Sequence, residues 1–236
     1  MAAALLVAVF ALKAALLPLS FWLPMSYAAA GAPVAALFAI MTKVGAYAIL
    51  RVATLMLGDA APSFAGLYQD WLLPLALATL VAGMVGALGA RRLTDQAAYL
   101  VIASVGTLLI AFGLGGRDAI AAGLYYLPHS TFAAAALFLL SDRIAQGRGA
   151  IGDRFEPAPD IPAAPLVGAL FFLCAVLLAG LPPLSGFIGK FLLLRAALAH
   201  PAWPWVLGIV LTSGLLGILA LARSGSLLFF RSAAVP

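Results

Sequence analysis

The sequence predicts an all-α protein, a polytopic bundle of about seven transmembrane helices, two of which are broken. Of its 236 residues, 65% are hydrophobic and only 9% are charged, and the mean hydropathy is +1.15. A soluble domain carries about 25% charged residues. The apolar runs are also long enough for the bilayer core, which an α-helix crosses in about 20 residues.

The first apolar run, about residues 2–22, contains Lys13 and then Pro18. A proline inside a helix removes a backbone donor and clashes with the preceding turn, so this span is predicted to break near its middle. We expect the span to end at Phe21-Trp-Leu-Pro24, and Trp22 and Tyr27 to lie at the membrane interface.

Six further apolar runs follow, separated by connections rich in Gly, Pro and charged residues. In order, the predicted runs and connections are a small-residue turn at 28–32, a run at 33–57, a connection at 58–70, runs at 71–92, 96–114 and 119–141, a polar linker at 141–160, a broken run at 165–195 and a last run at 203–221.

The sixth run is the second broken helix. It reads Gly180-Leu-Pro-Pro-Leu-Ser-Gly-Phe-Ile-Gly-Lys190 at its centre, and Pro182 and Pro183 break the helix. Unpaired backbone groups at membrane depth are tolerated only where they are buried in protein or line a watery cavity. A broken helix beside an ionisable group is typical of an ion pathway.

The three lysines, Lys13, Lys43 and Lys190, all lie within apolar runs, whereas most of the ten arginines lie in or beside the connections. Each lysine at a helix centre costs roughly 2.5–3.5 kcal/mol on insertion scales. Burial disfavours the charged ammonium, so such a lysine can exchange its proton near physiological pH. The alternative for each lysine alone is a side chain that reaches the interface.

His129 is a fourth titratable group in an apolar run. It is either a proton carrier or a neutral imidazole bonded to a carbonyl within the bundle. Two histidines and the single Cys174 do not predict a metal site or a disulfide, and Gly189-Lys190 lacks the spacing of a phosphate-binding loop.

The arginines predict the orientation of the chain. On the side of the first connection lie Arg91, Arg92, Arg143, Arg148, Arg154, Arg223 and Arg231, and on the other side only Arg51, Arg117 and Arg195. The positive-inside rule makes the first side cytoplasmic and places Met1 outside.

Three motifs carry a resemblance to a known family. They are Phe10-Ala-Leu-Lys-Ala-Ala-Leu-Leu-Pro-Leu-Ser-Phe-Trp-Leu-Pro24, Pro33-Val-Ala-Ala-Leu-Phe with Thr42-Lys-Val-Gly45, and Gly180 to Lys190. In this order they resemble the proton-translocating antiporter-like subunits shared by Mrp multisubunit sodium(potassium)/proton antiporters and the membrane arm of respiratory complex I. The stretch Tyr125-Tyr-Leu-Pro-His-Ser-Thr131 is more similar to the antiporter's D subunit.

The resemblance implies a relay of protons through Lys13, Lys43, His129 and Lys190. It also implies two inverted five-helix repeats, with residues 1–57 as the last two helices of the first, 71–223 as the second, and 224–236 as the start of a truncated final segment. Family members are about twice as long, so the acidic partner of Lys13 on an earlier helix is expected to be absent, and Met25 stands where many relatives have an acid.

The function implied is that of a multi-pass subunit in the cell (plasma) membrane, working in a hetero-oligomeric monovalent cation/proton antiporter. We expect no organic cofactor, no metal, no nucleic acid and no enzymatic activity of its own. The alternatives are a proton-pumping subunit of an NADH:quinone oxidoreductase or hydrogenase membrane arm, and a truncated scaffold that does not conduct.

Overall fold

A computed structural model describes residues 2–56, 62–158 and 161–230, and within these segments the chain is helical, without β-strands. The helices are α1 (Ala2–Ala14), α2 (Trp22–Ala29), α3 (Ala32–Arg51), α4 (Pro62–Gly89), α5 (Leu93–Leu114), α6 (Gly116–Gly147), α7 (Ala164–Ala179), α8 (Ser185–Ala197) and α9 (Trp203–Phe229). A π-helical segment, Val52–Met56, extends α3. This confirms the predicted fold class.

The described helices form seven spans. Helices α3, α4, α5, α6 and α9 are each long and apolar enough to cross a membrane. The pairs α1–α2 and α7–α8 are the halves of the two broken spans, so both predicted breaks are confirmed. Helix α5 lies at the centre of the bundle, because 89% of its apolar membrane-spanning stretch is buried by the neighbouring helices.

The first break, residues 15–21, contains Pro18 and is held by a side chain from another helix. Thr79 of α4 accepts a hydrogen bond from the backbone N–H of Leu17 at 3.0 Å. The same hydroxyl donates to the carbonyl of Leu75 at 2.6 Å. One threonine therefore satisfies an amide that the interrupted helix leaves without a helical partner.

The second break begins at Gly180, which ends α7 in the left-handed region with φ +76°. Its N–H still donates to the carbonyls of Val176 and Leu177 at the end of α7. Pro182 and Pro183 have no N–H to continue the ladder, and α8 starts two residues later at Ser185.

Two predictions for the start of the chain are wrong. Pro24 does not end a span, because it lies in the first turn of α2, where a missing N–H costs nothing. Tyr27 is not an interfacial residue: it is 1% exposed, and its hydroxyl donates to the carbonyl of Phe38 at 2.5 Å.

Two predicted connections are shorter than expected, and the last predicted run is longer. Residues 62–70 belong to α4, because Pro62 suits a first helical position and the residues after it tolerate a helix. Residues 141–147 continue α6, and α9 continues past Leu221 to Phe229. In each case polar or small residues extend a helix beyond its apolar run. Residues 57–61, 159–160 and 231–236 lie outside the described segments.

One end of the bundle gathers the arginines that were predicted to share a side; we call it the arginine-rich end, formed by Arg91, Arg92, Arg148, Arg154 and Arg223. Arg148 donates to the carbonyls of Gly152 at 3.0 Å and Arg154 at 2.6 Å, and also to that of Glu156. These bonds fold the α6–α7 connection back over the end of the bundle. Phe155 N–H then donates to the carbonyl of Arg91 at 3.0 Å.

Candidate proton-relay site

Lys43 is the most deeply buried charged side chain of the described spans, with 1% of its surface exposed. It projects from the middle of α3, and its Nζ donates to Ser104 Oγ of α5 at 2.6 Å. Ser104 donates in turn to the carbonyl of Val101 at 2.7 Å. The ammonium is thus bound by a neutral hydroxyl, which compensates only part of the cost of burying a charge.

Ser104 also lines a small cavity. Its volume is about 20 Å³, which is enough for one water molecule. The polar side chains in its wall come from four helices, and they are Ser104, Thr107, Tyr126, Lys190 and Ser213. The hydroxyl that binds Lys43 and the side chain of Lys190 therefore line the same buried space.

Lys190 lies on α8, and its side chain runs back across the second break. Its Nζ donates to the carbonyl of Ala179, the last residue of α7, at 2.7 Å. Helix C-termini carry unpaired carbonyls and a partial negative charge, so this position favours an ammonium. The glycine at position 180 leaves space for the lysine side chain, because a Cβ there would lie 2.8 Å from Lys190 Cδ.

His129 contacts the same break from α6. Its Nδ1 lies 3.0 Å from the Oγ of Ser185, the first residue of α8. A Cβ on Gly186 would lie 2.9 Å from His129 Nε2, so this glycine permits the close approach of the imidazole. The ring of Tyr126, which lines the cavity, is 5.3 Å from the imidazole between centroids. His129 and Lys190 are therefore neighbours at the second break.

Lys13 makes no hydrogen bond to any of these three residues. It lies in the last turn of α1, beside the first break, and is half-buried. Among the residues that the structure describes, its ammonium has no hydrogen-bond partner. The backbone of Lys13 packs against α3, where a Cβ on Gly45 would lie 3.1 Å from its carbonyl carbon.

Sequence reasoning missed the hydroxyl residues of the site. Ser104 and Thr107 are separated by three positions on α5 and share one helix face, and both are buried. These two hydroxyls on one face of the apolar part of α5 were the sequence signal from which a buried polar site could have been predicted. Ser185 and Thr79 left no comparable signal, because their roles depend on how the broken helices pack.

Comparison with known families decides what kind of chain this is. The family described as "NADH:quinone oxidoreductase/Mrp antiporter, TM" matches residues 1–217. The chain belongs to this family. The predicted resemblance is confirmed over nearly the whole sequence.

Relatives within the family are antiporter subunits by their names. The chain is 40% identical to a probable K(+)/H(+) antiporter D subunit of Rhizobium meliloti, over 98% of this chain and 48% of that protein. It is 36% identical to a Na(+)/H(+) antiporter D subunit of Bacillus subtilis, over 89% of this chain and 42% of that protein. The chain thus spans about half the length of these relatives.

Solved structures of the family share the fold. A chain of the Mrp complex from Dietzia superposes with a TM-score of 0.85 at 29% identity, covering 100% of this chain and 42% of that one. A chain of respiratory complex I from Thermus thermophilus gives 0.80 at 26% identity, covering 98% and 48%.

Proposed function

We propose that this chain is part of the D subunit of a multisubunit monovalent cation/proton antiporter in the plasma membrane, and that it carries protons. The similarity to two proteins named as antiporter D subunits supports the assignment. Assembly with other subunits is part of the proposal, since the similar structures are multisubunit complexes.

The observation that carries the proposal is the buried polar line from Lys43 through Ser104 to the cavity beside Lys190. The Ser104 hydroxyl accepts from Lys43 Nζ and has its own proton to give. The Ser104 O–H can turn from the Val101 carbonyl toward a water in the cavity and donate its proton to that water. Ser104 Oγ then takes a proton from Lys43, so that Lys43 becomes neutral and Ser104 is restored. The water can then protonate Lys190 in its neutral form.

Charge repulsion gives the relay its coupling. Two like charges within a buried polar line repel one another, and the repulsion is stronger in a protein interior than in water. A proton held on Lys43 therefore favours release from Lys190, and the reverse. His129, beside Ser185, is placed in this scheme at the Lys190 end of the line.

The remaining assignments follow from the family. We propose Lys13 as the lysine of the first broken helix and residues 1–57 and 71–223 as parts of two repeats. A membrane subunit of a quinone oxidoreductase is the second candidate, and the likeness to the complex I chain supports it. Identity of 40% to an antiporter D subunit favours the antiporter.

Proton exchange by the full-length protein in its assembled complex tests the proposal. We expect Lys43→Ala to abolish cation-driven proton exchange in reconstituted vesicles, and Ser104→Ala to reduce it at least tenfold while Ser104→Thr retains it. Ser130→Ala is the matched control, since Ser130 is at least as deeply buried and, among the described residues, its hydroxyl bonds only the Leu127 carbonyl of its own helix. Exchange at the parental rate in Lys43→Ala would reject the relay.

A further inference from the structure

Gln96 is buried where α4, α5 and α9 meet, one turn inside the arginine-rich end, and only 2% of its surface is exposed. Both protons of its amide are used by other helices: Nε2 donates to the carbonyl of Ala87 on α4 at 3.3 Å and to that of Ala220 on α9 at 3.1 Å. These two bonds fix the orientation of the amide.

The oxygen of this amide has no partner. Among the side chains that the structure describes, Gln96 Oε1 is the only buried oxygen or nitrogen without a hydrogen bond. A flip of the amide would not help, since it would point an acceptor at two carbonyls. Buried acceptors of this kind are ordinarily satisfied by water.

Gln96 lies on the same α5 face as the relay cavity. Leu100, Ala103 and Thr107 follow it at helical spacing and line the cavity, and the eight residues from Gln96 to Ser104 span about 12 Å along the helix. The cavity is bounded by α4 and α9 as well, through Met84 and Ser213 among others. The junction of these three helices therefore runs from the arginine-rich end to Lys190.

Two apolar side chains of the cavity wall lie about one helical turn from Gln96 or from Ala87, which binds it. Leu100 lies one turn beyond Gln96 and is 6% exposed, as is Met84 of α4. Met84 faces Gly217 of α9, where a Cβ would lie 3.6 Å from Met84 Cε. An unbranched thioether opposite a glycine can change rotamer more easily than a branched side chain, and an apolar constriction of this kind blocks water by dewetting.

An exposed arginine lies at the outer end of the junction. Arg223 of α9 donates through Nη1 to the carbonyl of Leu88 on α4 at 3.0 Å. Leu88 adjoins Ala87, whose carbonyl binds Gln96. From outside inward the junction thus presents an exposed guanidinium, a buried amide with a free acceptor, two apolar side chains and the cavity of Lys190.

We propose that the α4–α5–α9 junction is a water pathway from the arginine-rich end to the relay cavity, with a water site at Gln96 Oε1 and a closed constriction at Leu100 and Met84. Water reaching the cavity would exchange protons with Lys190 from that side. The pathway rests on the proposed function, since it concerns the cavity of the proposed relay, but its existence can be tested without any transport.

Thiol labelling of the full-length protein in its complex tests the pathway directly. In a Cys174→Ser background, Leu100→Cys should react with a small membrane-impermeant cationic thiosulfonate added from the arginine-rich side, and at least tenfold more slowly from the other side. Leu109→Cys is the control, because Leu109 lies on the opposite face of α5, is fully buried and does not line the cavity. Equal reaction at the two positions, no reaction at Leu100→Cys, or reaction from the other side would overturn the proposal.

Passive proton flux gives a second, independent readout. Leu100→Ala should raise the proton leak of vesicles containing the complex several-fold, whereas Leu109→Ala, which removes the same atoms from the opposite face, should not. Gln96→Leu should reverse the leak of Leu100→Ala, because leucine has no acceptor oxygen to hold a water at this position. If Leu100→Ala and Leu109→Ala leak protons at the same rate, Leu100 contributes only to packing and the proposed constriction is rejected. If Leu100→Cys is not labelled and Lys43→Ala is inactive in proton exchange, the water pathway is rejected while the proposed relay is retained.

Discussion

Lys190 Nζ is hydrogen-bonded at 2.7 Å to the carbonyl of Ala179, eleven residues earlier and on the other side of a break in the helix. The bond joins the two halves of the second broken span. It uses a carbonyl that an unbroken α7 would have paired with an amide one turn later. An ammonium that bonds one carbonyl and lines a cavity for one water has both a fixed position and a proton acceptor beside it.

Lys190→Ala in the full-length protein is expected to reduce cation-driven proton exchange at least a hundredfold while the complex still assembles. Lys190→Arg is expected to fail as well, because a guanidinium stays protonated at any relevant pH and cannot release its proton. The measurement is proton flux in vesicles together with recovery of the intact complex. Parental exchange by the arginine variant would make Lys190 a structural anchor only.

Gly180→Ala should lower both stability and exchange. The left-handed backbone at φ +76° costs an alanine about 1–2 kcal/mol, and the new Cβ would lie 2.8 Å from Lys190 Cδ and displace the ammonium. Thermal unfolding in detergent and proton flux are the readouts. Gly208→Ala in α9 is the matched control, because its Cβ would meet nothing within 4 Å and alanine is the better helix former. Equal unfolding temperatures for the two variants would contradict the argument.

The number of spans and both breaks could be predicted because apolar runs and prolines are local properties of the sequence. Helix ends could not be predicted as well. Pro24, Pro62 and Gly147 lie beyond or between apolar runs, where polar and small residues are compatible with either a helix or a connection, and only packing decides between them.

The lysines of the site could be predicted for the same local reason, since a charge in an apolar run is expensive wherever the run packs. Ser104 could not. Hydroxyl residues in membrane helices commonly bond a carbonyl of their own helix, as Ser104 does with Val101. That Ser104 also binds Lys43 depends on the rotation of α5 against α3, which no single stretch of sequence encodes.

The arginine-rich end is predicted to face the cytoplasm. A topology reporter fused after Arg148 should give a cytoplasmic signal, and one inserted near Pro62 an external signal, because basic residues are retained on the cytoplasmic side. The structure makes this a single test, since Arg148 and the α4–α5 turn meet at one end through the Phe155–Arg91 bond. The opposite pair of signals would invert the orientation and move the proposed water pathway to the external side.

Asp153 contributes to the pH dependence of stability. Burial alone would raise the pKa of this carboxyl, which is 2% exposed. The Thr94 hydroxyl at 2.5 Å, the Thr94 N–H at 2.7 Å and Arg92 Nε at 3.0 Å stabilise the carboxylate and hold its pKa below the ordinary value. The carboxylate thereby caps the first turn of α5, whose Leu93 N–H is taken by the Asp153 carbonyl at 3.0 Å.

Because the pKa of Asp153 is lowered by folding, its contribution to stability is complete above the unfolded value of about 3.9 and is lost as the pH falls below it. Asp153→Ala is expected to cost about 2 kcal/mol at pH 7, in the range of a lost helix cap. Asp153→Asn should cost less and should approach the parent as the pH drops below about 4. Asp142→Asn removes a carboxylate whose one hydrogen bond to the described residues comes from Gln146 within α6, and it should change stability by less than about 0.5 kcal/mol. Thermal unfolding in detergent between pH 3 and 7 measures the stability of all three variants. If the loss of stability in Asp153→Asn is the same at every pH, hydrogen bonding accounts for the cap and the charge of Asp153 does not contribute.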